Sequence, residues 1–174
     1  ALHLIIRALG IKEGDEVITA ANTFNATVSS ICIAGANPVL VDVDESTSLI
    51  DSEKISEKIT RRTKAIMPVH LYGQQSKTEK IVEIADKHGI VVIEDACQAH
   101  GSLRHSKSPG YLTNSATYSF YPGKNLGAFG DAGLVISDDE NLIEKIKKLR
   151  NYGQSKKYYH DVQGFNKRLD GMQA

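Results

Sequence analysis

The sequence lacks an excess of charge of either sign, a long apolar run and a recognisable leader. Lysine plus arginine and aspartate plus glutamate both number 21, so the formal net charge is +0. Balanced charge gives no electrostatic footprint for nucleic acid or an anionic membrane. The basic run 145–150 fits the exposed face of a helix. Without about 20 consecutive apolar residues or a signal-peptide pattern, we expect a cytoplasmic protein without a membrane span.

Cysteine pairs and metal-binding patterns are also scarce. Cys32 and Cys97 are isolated in apolar segments, which predicts buried, reduced thiols rather than a disulfide. The histidines are scattered and no Cys-x-x-Cys occurs, so no metal site is predicted. The fingerprints G-x-G-x-x-G, G-x-x-x-x-G-K-[ST] and G-x-S-x-G are all absent. Their absence disfavours a dinucleotide fold, a P-loop and a serine hydrolase.

Strand and helix patterns alternate along the chain, which is long enough for one domain burying roughly 70% of its unfolded surface. Predicted strands cover residues 16–20, 38–43, 64–70, 90–94, 116–120 and 133–137. Predicted helices cover residues 2–9, 25–34 (buried), 51–59 (capped by Asp51), 76–88 (capped by Ser76) and 140–151. Residues 101–115 form a polar loop. This alternation predicts an α/β fold, a three-layer sandwich with a mostly parallel central sheet.

One lysine occupies an unusual setting. Lys124 lies in the aromatic and glycine-rich segment 119–127, just after a predicted strand, and the nearest downstream acid is Asp131. A lysine kept from water and counter-ions is easier to deprotonate, and a neutral amine can form a Schiff base with a carbonyl. The simpler interpretation is a surface lysine.

A buried acid complements this lysine. Asp95 follows the apolar run 91–93, and parallel α/β sheets bind ligands beyond the carboxyl ends of their strands. A lysine for an aldehyde and an acid for a pyridinium nitrogen are the groups that pyridoxal 5'-phosphate (PLP) needs. The alternatives for Asp95 are a loop cap or a ribose ligand, and the missing glycine fingerprint weakens the second.

Motifs along the whole chain resemble the DegT/DnrJ/EryC1/StrS family of PLP-dependent sugar aminotransferases. The two most specific are Glu94-Asp95-Ala96-Cys97-Gln98-Ala99-His100-Gly101 and the lysine segment 119–127 with 130–133. The other matching pieces are residues 1–4, 8–11, 14–18, 22–24, 38–39, 68–73, 151–153 and 164–174. The resemblance implies the large domain of a fold-type I PLP enzyme.

The resemblance also implies a role for each site residue. Lys124 would form the internal aldimine and shuttle the proton, and Asp95 would pair with the pyridinium nitrogen. Gln98 would hydrogen-bond the phenolic oxygen, Phe24 would stack on the ring, and Ser119 would bind the phosphate. Asn166 would reach the phosphate held by the partner subunit of a homodimer. From the residues alone, Gln98 could cap a loop, Phe24 could be core and Ser119 could satisfy backbone groups.

By the same resemblance, the reaction would transfer an amine from L-glutamate, through pyridoxamine phosphate, to a nucleotide-linked keto-sugar. The Pro-Gly-Lys-Asn-Leu-Gly form around Lys124 favours C3 of a dTDP-3-keto-6-deoxyhexose. Amination at C4, a PLP-dependent sugar dehydratase (which carries histidine in place of the lysine) and a cofactor-free binding or scaffold domain remain alternatives.

The resemblance further predicts that residues 1–174 are a PLP-binding fragment. The family pattern includes a phosphate-binding lead-in before the position of Ala1 and a C-terminal small domain, and by the resemblance we expect residues 1–174 to lack both. We therefore expect the isolated piece to bind PLP weakly, to be inactive and to self-associate.

Overall fold

A mostly parallel six-stranded sheet forms the centre of the molecule. The computed structural model describes residues 1–113 and 115–174; Asn114, in the predicted loop 101–115, lies outside the described residues. The strands are β1 (Glu16–Ala20), β2 (Asn37–Val41), β3 (Thr63–Met67), β4 (Val91–Asp95), β5 (Ser115–Ser119) and β6 (Gly133–Ile136). Their spatial order is β2-β1-β3-β4-β5-β6, and only the β5–β6 pair in this sheet is antiparallel. All six predicted strands are confirmed to within a few residues.

Within residues 1–113 and 115–174, four α-helices cover the two faces of the sheet. They are α1 (Leu2–Ala8), α2 (Asn25–Ile33), α3 (Thr78–His88) and α4 (Glu140–Arg150). Alternate residues of one strand enter different cores: Val17 packs in the cluster with α1, α2 and α4, whereas Ile18 packs in the cluster with α3. This period-2 division follows from the pleat of a strand buried on both faces. The predicted three-layer sandwich is confirmed.

The predicted helix 51–59 is wrong in type. The chain there forms two 3₁₀ turns, Ser52–Lys54 and Ser56–Lys58, each closed by a backbone bond between residues three apart. Asp51 does cap the first turn, because its carboxylate accepts from the amide of Glu53 at 3.0 Å. Ile55 between the turns is fully buried. The apolar residue of this segment therefore reaches the core although no α-helix forms.

Helix α2 is only partly buried, which corrects the expectation of a buried helix. Thr27 and Ile31 face the interior, but Ile33 is exposed. Cys32 is also exposed, so the predicted burial of its thiol is wrong, whereas Cys97 is partly buried; both cysteines are free, as predicted.

Ser76 does not cap α3. Its hydroxyl donates to the carbonyl of Val69 at 3.3 Å and its amide donates to His70 Nδ1 at 3.1 Å. The helix begins one residue after Lys77, which makes no side-chain cap bond. Ser76 instead anchors the connection between β3 and α3, beside the carboxyl end of the sheet.

Two further observations complete the fold. A hairpin of β7 (Gln154–Lys156) and β8 (Tyr159–His160) follows α4 and is absent from the sequence-based prediction. Within residues 1–113 and 115–174, no helix has the length and apolar character needed to cross a bilayer.

Candidate active site

A cleft of about 700 Å³ opens at the carboxyl ends of the central strands. Its walls come from the segments that follow β1, β3, β4 and β5, where parallel α/β sheets place their ligands. It is lined by Leu2, Phe24, Ala26, Thr27, Val69, Leu71, Asp95, Cys97, Gln98, Ser119, Tyr121, Gly123, Lys124 and Asp131. Five of the six predicted site residues therefore meet in one place, although they are scattered over about 100 positions of sequence.

Asp95 is the most firmly held residue of the cleft. It ends β4 and is 3% exposed. Its Oδ1 accepts from the amide of Cys97 at 3.1 Å, and its Oδ2 accepts from the Thr27 hydroxyl at 2.8 Å. Its own amide donates to the carbonyl of Pro68 at 2.9 Å. Two donors on two oxygens suit an ionised carboxylate, which can only accept.

Lys124 lies in the loop between β5 and β6 and is half-buried. Its amide donates to the carbonyl of Tyr121 at 2.8 Å, and its Nζ lies 5.9 Å from the centroid of the Phe24 ring. The loop folds back on itself so tightly that a Cβ at Gly127 would lie 2.5 Å from the carbonyl oxygen of Pro122. Glycine is therefore required there for the turn that presents the lysine.

Phe24 precedes the first turn of α2 and is 66% exposed. The core interpretation of this residue is therefore wrong. Its ring forms part of the cleft wall, on the same side as the Lys124 amine. An exposed aromatic ring beside an amine is a surface on which a planar heterocycle can stack.

Gln98 is oriented by the backbone of a neighbouring loop. Its Oε1 accepts from the amide of Tyr72 at 2.9 Å, which leaves the Nε2 amide hydrogens as donors toward the cleft. Tyr72 adopts a left-handed conformation with φ of 60°, followed by Gly73 with φ of 77°. Such a conformation costs roughly 1–2 kcal/mol for a residue with a Cβ.

Ser119 ends β5 and links two clefts. Its Oγ accepts from the amide of Tyr121 at 3.3 Å, so its own proton is free to be donated elsewhere. It also lines a second cleft, of about 610 Å³, which is bordered by Lys147, Arg150 and Lys167. Asp131 lines both clefts as well.

Asn166 is the one predicted site residue outside the cleft. It is exposed and pairs with Asn151 through a backbone bridge at the end of α4. Asn166 is not among the described residues that line the cleft.

Three residues of the site were missed by the sequence analysis. Thr27 donates to Asp95, Thr23 lies 2.8 Å from Thr27 between hydroxyl oxygens, and Cys97 lines the cleft. The sequence does contain a pattern that places Thr27 near the site. Helix α2 begins at Asn25, and residues three positions apart are neighbours on a helix surface. Thr27 is therefore expected on the same side of the first turn as Phe24, facing the cleft.

Cys97 is not a competing nucleophile. Burial, followed by the adjacent negative charge of Asp95 and a hydrogen bond to it, holds the pKa of the thiol far above its ordinary value. A protonated thiol is a poor nucleophile. Lys124 is thus the side chain in this cleft best suited to attack an aldehyde.

The donor set of the cleft fits PLP. The cofactor needs an amine for its aldehyde, a carboxylate for its ring nitrogen, a donor for its phenolic oxygen and a hydroxyl for its phosphate. Lys124, Asp95, Gln98 and Ser119 supply these groups in one cleft beside the Phe24 ring. Within residues 1–113 and 115–174, no cluster of three or more metal-binding side chains occurs.

These features define a PLP-enzyme-like α/β domain, and comparison with known proteins gives the family. The model of the DegT/DnrJ/EryC1/StrS aminotransferase family matches residues 1–174. The chain belongs to this family.

Individual relatives agree with this assignment. The chain is 53% identical over 174 residues to a "pleiotropic regulatory protein" of Geobacillus stearothermophilus, covering 100% of the chain and 47% of the relative. It is also 53% identical to the dTDP-3-amino-3,6-dideoxy-alpha-D-galactopyranose transaminase of Aneurinibacillus thermoaerophilus, covering 100% of the chain and 48% of that enzyme. The chain spans about half the length of the curated relatives it matches.

A solved structure shows the same fold. The crystal structure of Streptomyces venezuelae DesV in complex with a ketimine intermediate superposes with a TM-score of 0.96 at 45% identity. The superposition covers 99% of this chain and 46% of DesV.

Proposed function

We propose that residues 1–174 form the PLP-binding large domain of a sugar-nucleotide aminotransferase. The observation that carries the proposal is the meeting of the Lys124 amine and the anchored Asp95 carboxylate in one cleft, next to the exposed Phe24 ring. Lys124 follows β5 and Asp95 ends β4, which are neighbouring parallel strands. Membership in an aminotransferase family supports the same conclusion.

Each side chain has a defined task in this proposal. Bound PLP supplies an electron sink for the carbon that loses a proton. Lys124 Nζ would hold the cofactor through its aldehyde carbon, with water as the leaving group, and when released would carry a proton to and from the substrate. Asp95 holds the proton on the ring nitrogen. Gln98 Nε2 donates to the phenolic oxygen, and Ser119 Oγ donates to the phosphate.

The proposed substrates are L-glutamate as amino donor and a dTDP-3-keto-6-deoxyhexose as acceptor. The C3 position is supported by the Pro122-Gly123-Lys124-Asn125 segment and by the similarity to an enzyme named for a dTDP-3-amino sugar. Amination at C4 would use the same residues. The dehydratase alternative is disfavoured because lysine, not histidine, occupies position 124.

We further propose a homodimer with shared active sites. Asn166 is exposed and lies outside its own cleft, so its proposed phosphate contact requires the cleft of a second subunit. The pair of clefts would then be completed by two-fold symmetry.

Product analysis tests this function and uses the holoenzyme, meaning the full-length, PLP-loaded enzyme of which we propose residues 1–174 to be the large domain. We expect L-glutamate and dTDP-3-keto-6-deoxyhexose to give 2-oxoglutarate and a 3-amino sugar nucleotide in equal amounts. The 4-keto isomer serves as the matched acceptor control. An amine at C4 would support the other regiochemistry, and loss of water without amine transfer would support the dehydratase. A protein that takes up no PLP at all would support the binding-domain alternative.

A further inference from the structure

A chain of two hydroxyls leads from Thr23, just before α2, to the buried Asp95. Thr27 Oγ1 lies 2.8 Å from Asp95 Oδ2, and Thr23 Oγ1 lies 2.8 Å from Thr27 Oγ1. Thr27 is 1% exposed and Asp95 is 3% exposed, so water does not compete strongly for the bond between them. Thr23 is only partly buried. In such surroundings hydrogen bonds in series polarise one another.

The direction of this chain follows from the number of protons. An ionised carboxylate only accepts, so the Thr27 hydroxyl proton points at Asp95. The oxygen of Thr27 then accepts from the hydroxyl of Thr23. The competing acceptor for Thr23, the carbonyl of Phe24, is 3.5 Å away, at the limit for a hydrogen bond. Protons are thus ordered from Thr23 through Thr27 to Asp95.

The same chain connects two walls of the cleft. Phe24 lies between the two threonines in sequence, and the amide of Thr27 donates to the carbonyl of Phe24 at 3.1 Å. Asp95 Oδ1 is held separately by the amide of Cys97. Removing the Thr27 donor would therefore free one carboxylate oxygen and loosen the link between the carboxylate and the Phe24 ring.

We propose that Thr27 is a positioning residue that keeps the Asp95 carboxylate charged and aimed at the cofactor's ring nitrogen, with Thr23 as its own proton donor. The inference rests on the proposed function, because it assigns Asp95 to that nitrogen. Without the Thr27 donor, the shared proton moves from the ring nitrogen toward Asp95. The electron sink then weakens while the substrate contacts stay in place.

Thr27→Val in the holoenzyme, loaded with PLP labelled with ¹⁵N in the ring, tests this directly. Valine keeps the branched shape and removes the hydroxyl. We expect the ring-nitrogen resonance to move from the pyridinium position toward that of neutral pyridine. We expect kcat to fall ~10-fold or more with little change in KM, as for other residues that orient a reacting group. Thr27→Ser keeps the donor and should restore both readouts to near wild type.

Ser30→Ala is the matched control. Ser30 is also a buried hydroxyl on α2, but it donates to the carbonyl of Thr27 and does not touch Asp95. It should leave the resonance at the pyridinium position. Far-UV circular dichroism of all three variants establishes that the fold is intact.

The outcomes separate the two levels of the proposal. A wild-type protein without PLP uptake, or with a neutral ring nitrogen, would overturn the proposed role of Asp95 itself. If the ring-nitrogen resonance of Thr27→Val stays at the pyridinium position found for wild type, only the role of Thr27 is overturned. Equal effects of Thr27→Val, Thr27→Ser and Ser30→Ala would show that Thr27 contributes only packing, and would also overturn its positioning role.

Discussion

The lysine and the aspartate of the cleft are held in different ways. Asp95 ends a central strand and is fixed by two donors, whereas Lys124 projects from a loop and has a longer side chain free to turn. This difference suits the proposed tasks, since the carboxylate has to stay on one atom while the amine has to move.

Asp95→Asn should uncouple binding from turnover. Asparagine Oδ1 can still accept a hydrogen bond, but the charge that keeps the ring nitrogen protonated is lost. We expect the bond to Lys124 to form, and kcat to fall by about 10³-fold or more with a smaller change in KM, because the electron sink acts chiefly in the transition state. Steady-state kinetics checks this. Asp138→Asn, at an exposed position, is the control; a near-wild-type kcat for Asp95→Asn would exclude the assigned role.

His3 should make stability depend on acidic pH. Burial, followed by the charges of Lys167 and Arg7, lowers the pKa of His3 from 6.5 to about 4. Lys167 Nζ lies 2.6 Å from His3 Nδ1, which requires an unprotonated acceptor nitrogen. Between about pH 6.5 and about pH 4, His3 is protonated in the unfolded state but not in the folded state. The free energy of unfolding therefore falls as the pH drops through this range.

The size of this effect is modest. Allowing for solvent screening, we expect a loss of about 1–2 kcal/mol in the free energy of unfolding. Urea unfolding of wild type and His3→Gln across this pH range measures it. The variant should lose less stability than wild type on acidification; equal losses in both proteins would show that other groups are responsible.

Among the elements, the connection after β3 is fixed by a buried hydrogen bond between His70 and Glu94. His70 and Glu94 are 0% and 1% exposed in their side chains, and His70 Nε2 lies 2.5 Å from Glu94 Oε2. His70 Nδ1 accepts from the amide of Ser76, so the ring proton is on Nε2 and is donated to Glu94. The other carboxylate oxygen accepts from the amide of Gly110 at 2.8 Å and the hydroxyl of Thr113 at 2.6 Å.

Glu94→Gln should therefore be strongly destabilising. An amide cannot accept at both ends, so its NH₂ group must face a donor on one side. We expect a loss of about 2–4 kcal/mol in the free energy of unfolding. Glu79→Gln is the comparison, because Glu79 pairs with Arg104 at the surface and should cost less than about 1 kcal/mol. Similar losses for the two variants in urea unfolding would contradict the account.

The strands could be predicted from the sequence because a strand buried on both faces of the sheet needs apolar residues at consecutive positions, as in residues 91–93. The prediction failed at residues 51–59, where an apolar spacing typical of a helix is also satisfied by two 3₁₀ turns around Ile55. The Thr27–Asp95 bond joins positions 68 residues apart. No local pattern indicates such a contact, which depends on how α2 packs against the sheet.

For the whole molecule, the shared-site proposal makes a quantitative prediction. Lys124→Ala and Asn166→Ala should each greatly reduce activity. In a mixed dimer one cleft would carry both defects and the other would carry neither. Random mixing in equal amounts should therefore restore about a quarter of the wild-type activity, as two-fold symmetry requires.

The mixing experiment has a clear contrary result. If Asn166 served its own cleft, every site in the mixed dimer would keep one defect and no activity would return. Mixing Lys124→Ala with Asp95→Asn is the matched control, because both residues lie in one cleft and no recovery is expected.

The most direct test of the central claim is borohydride reduction of the PLP-loaded holoenzyme, followed by digestion and peptide mapping by mass spectrometry. Borohydride fixes the cofactor on the lysine that holds it. We expect the label on the peptide containing Lys124, no fixed label in Lys124→Ala, and unchanged labelling in Lys145→Ala, which removes an exposed lysine of α4. A label on any other lysine, or none in the wild-type protein, would contradict the account.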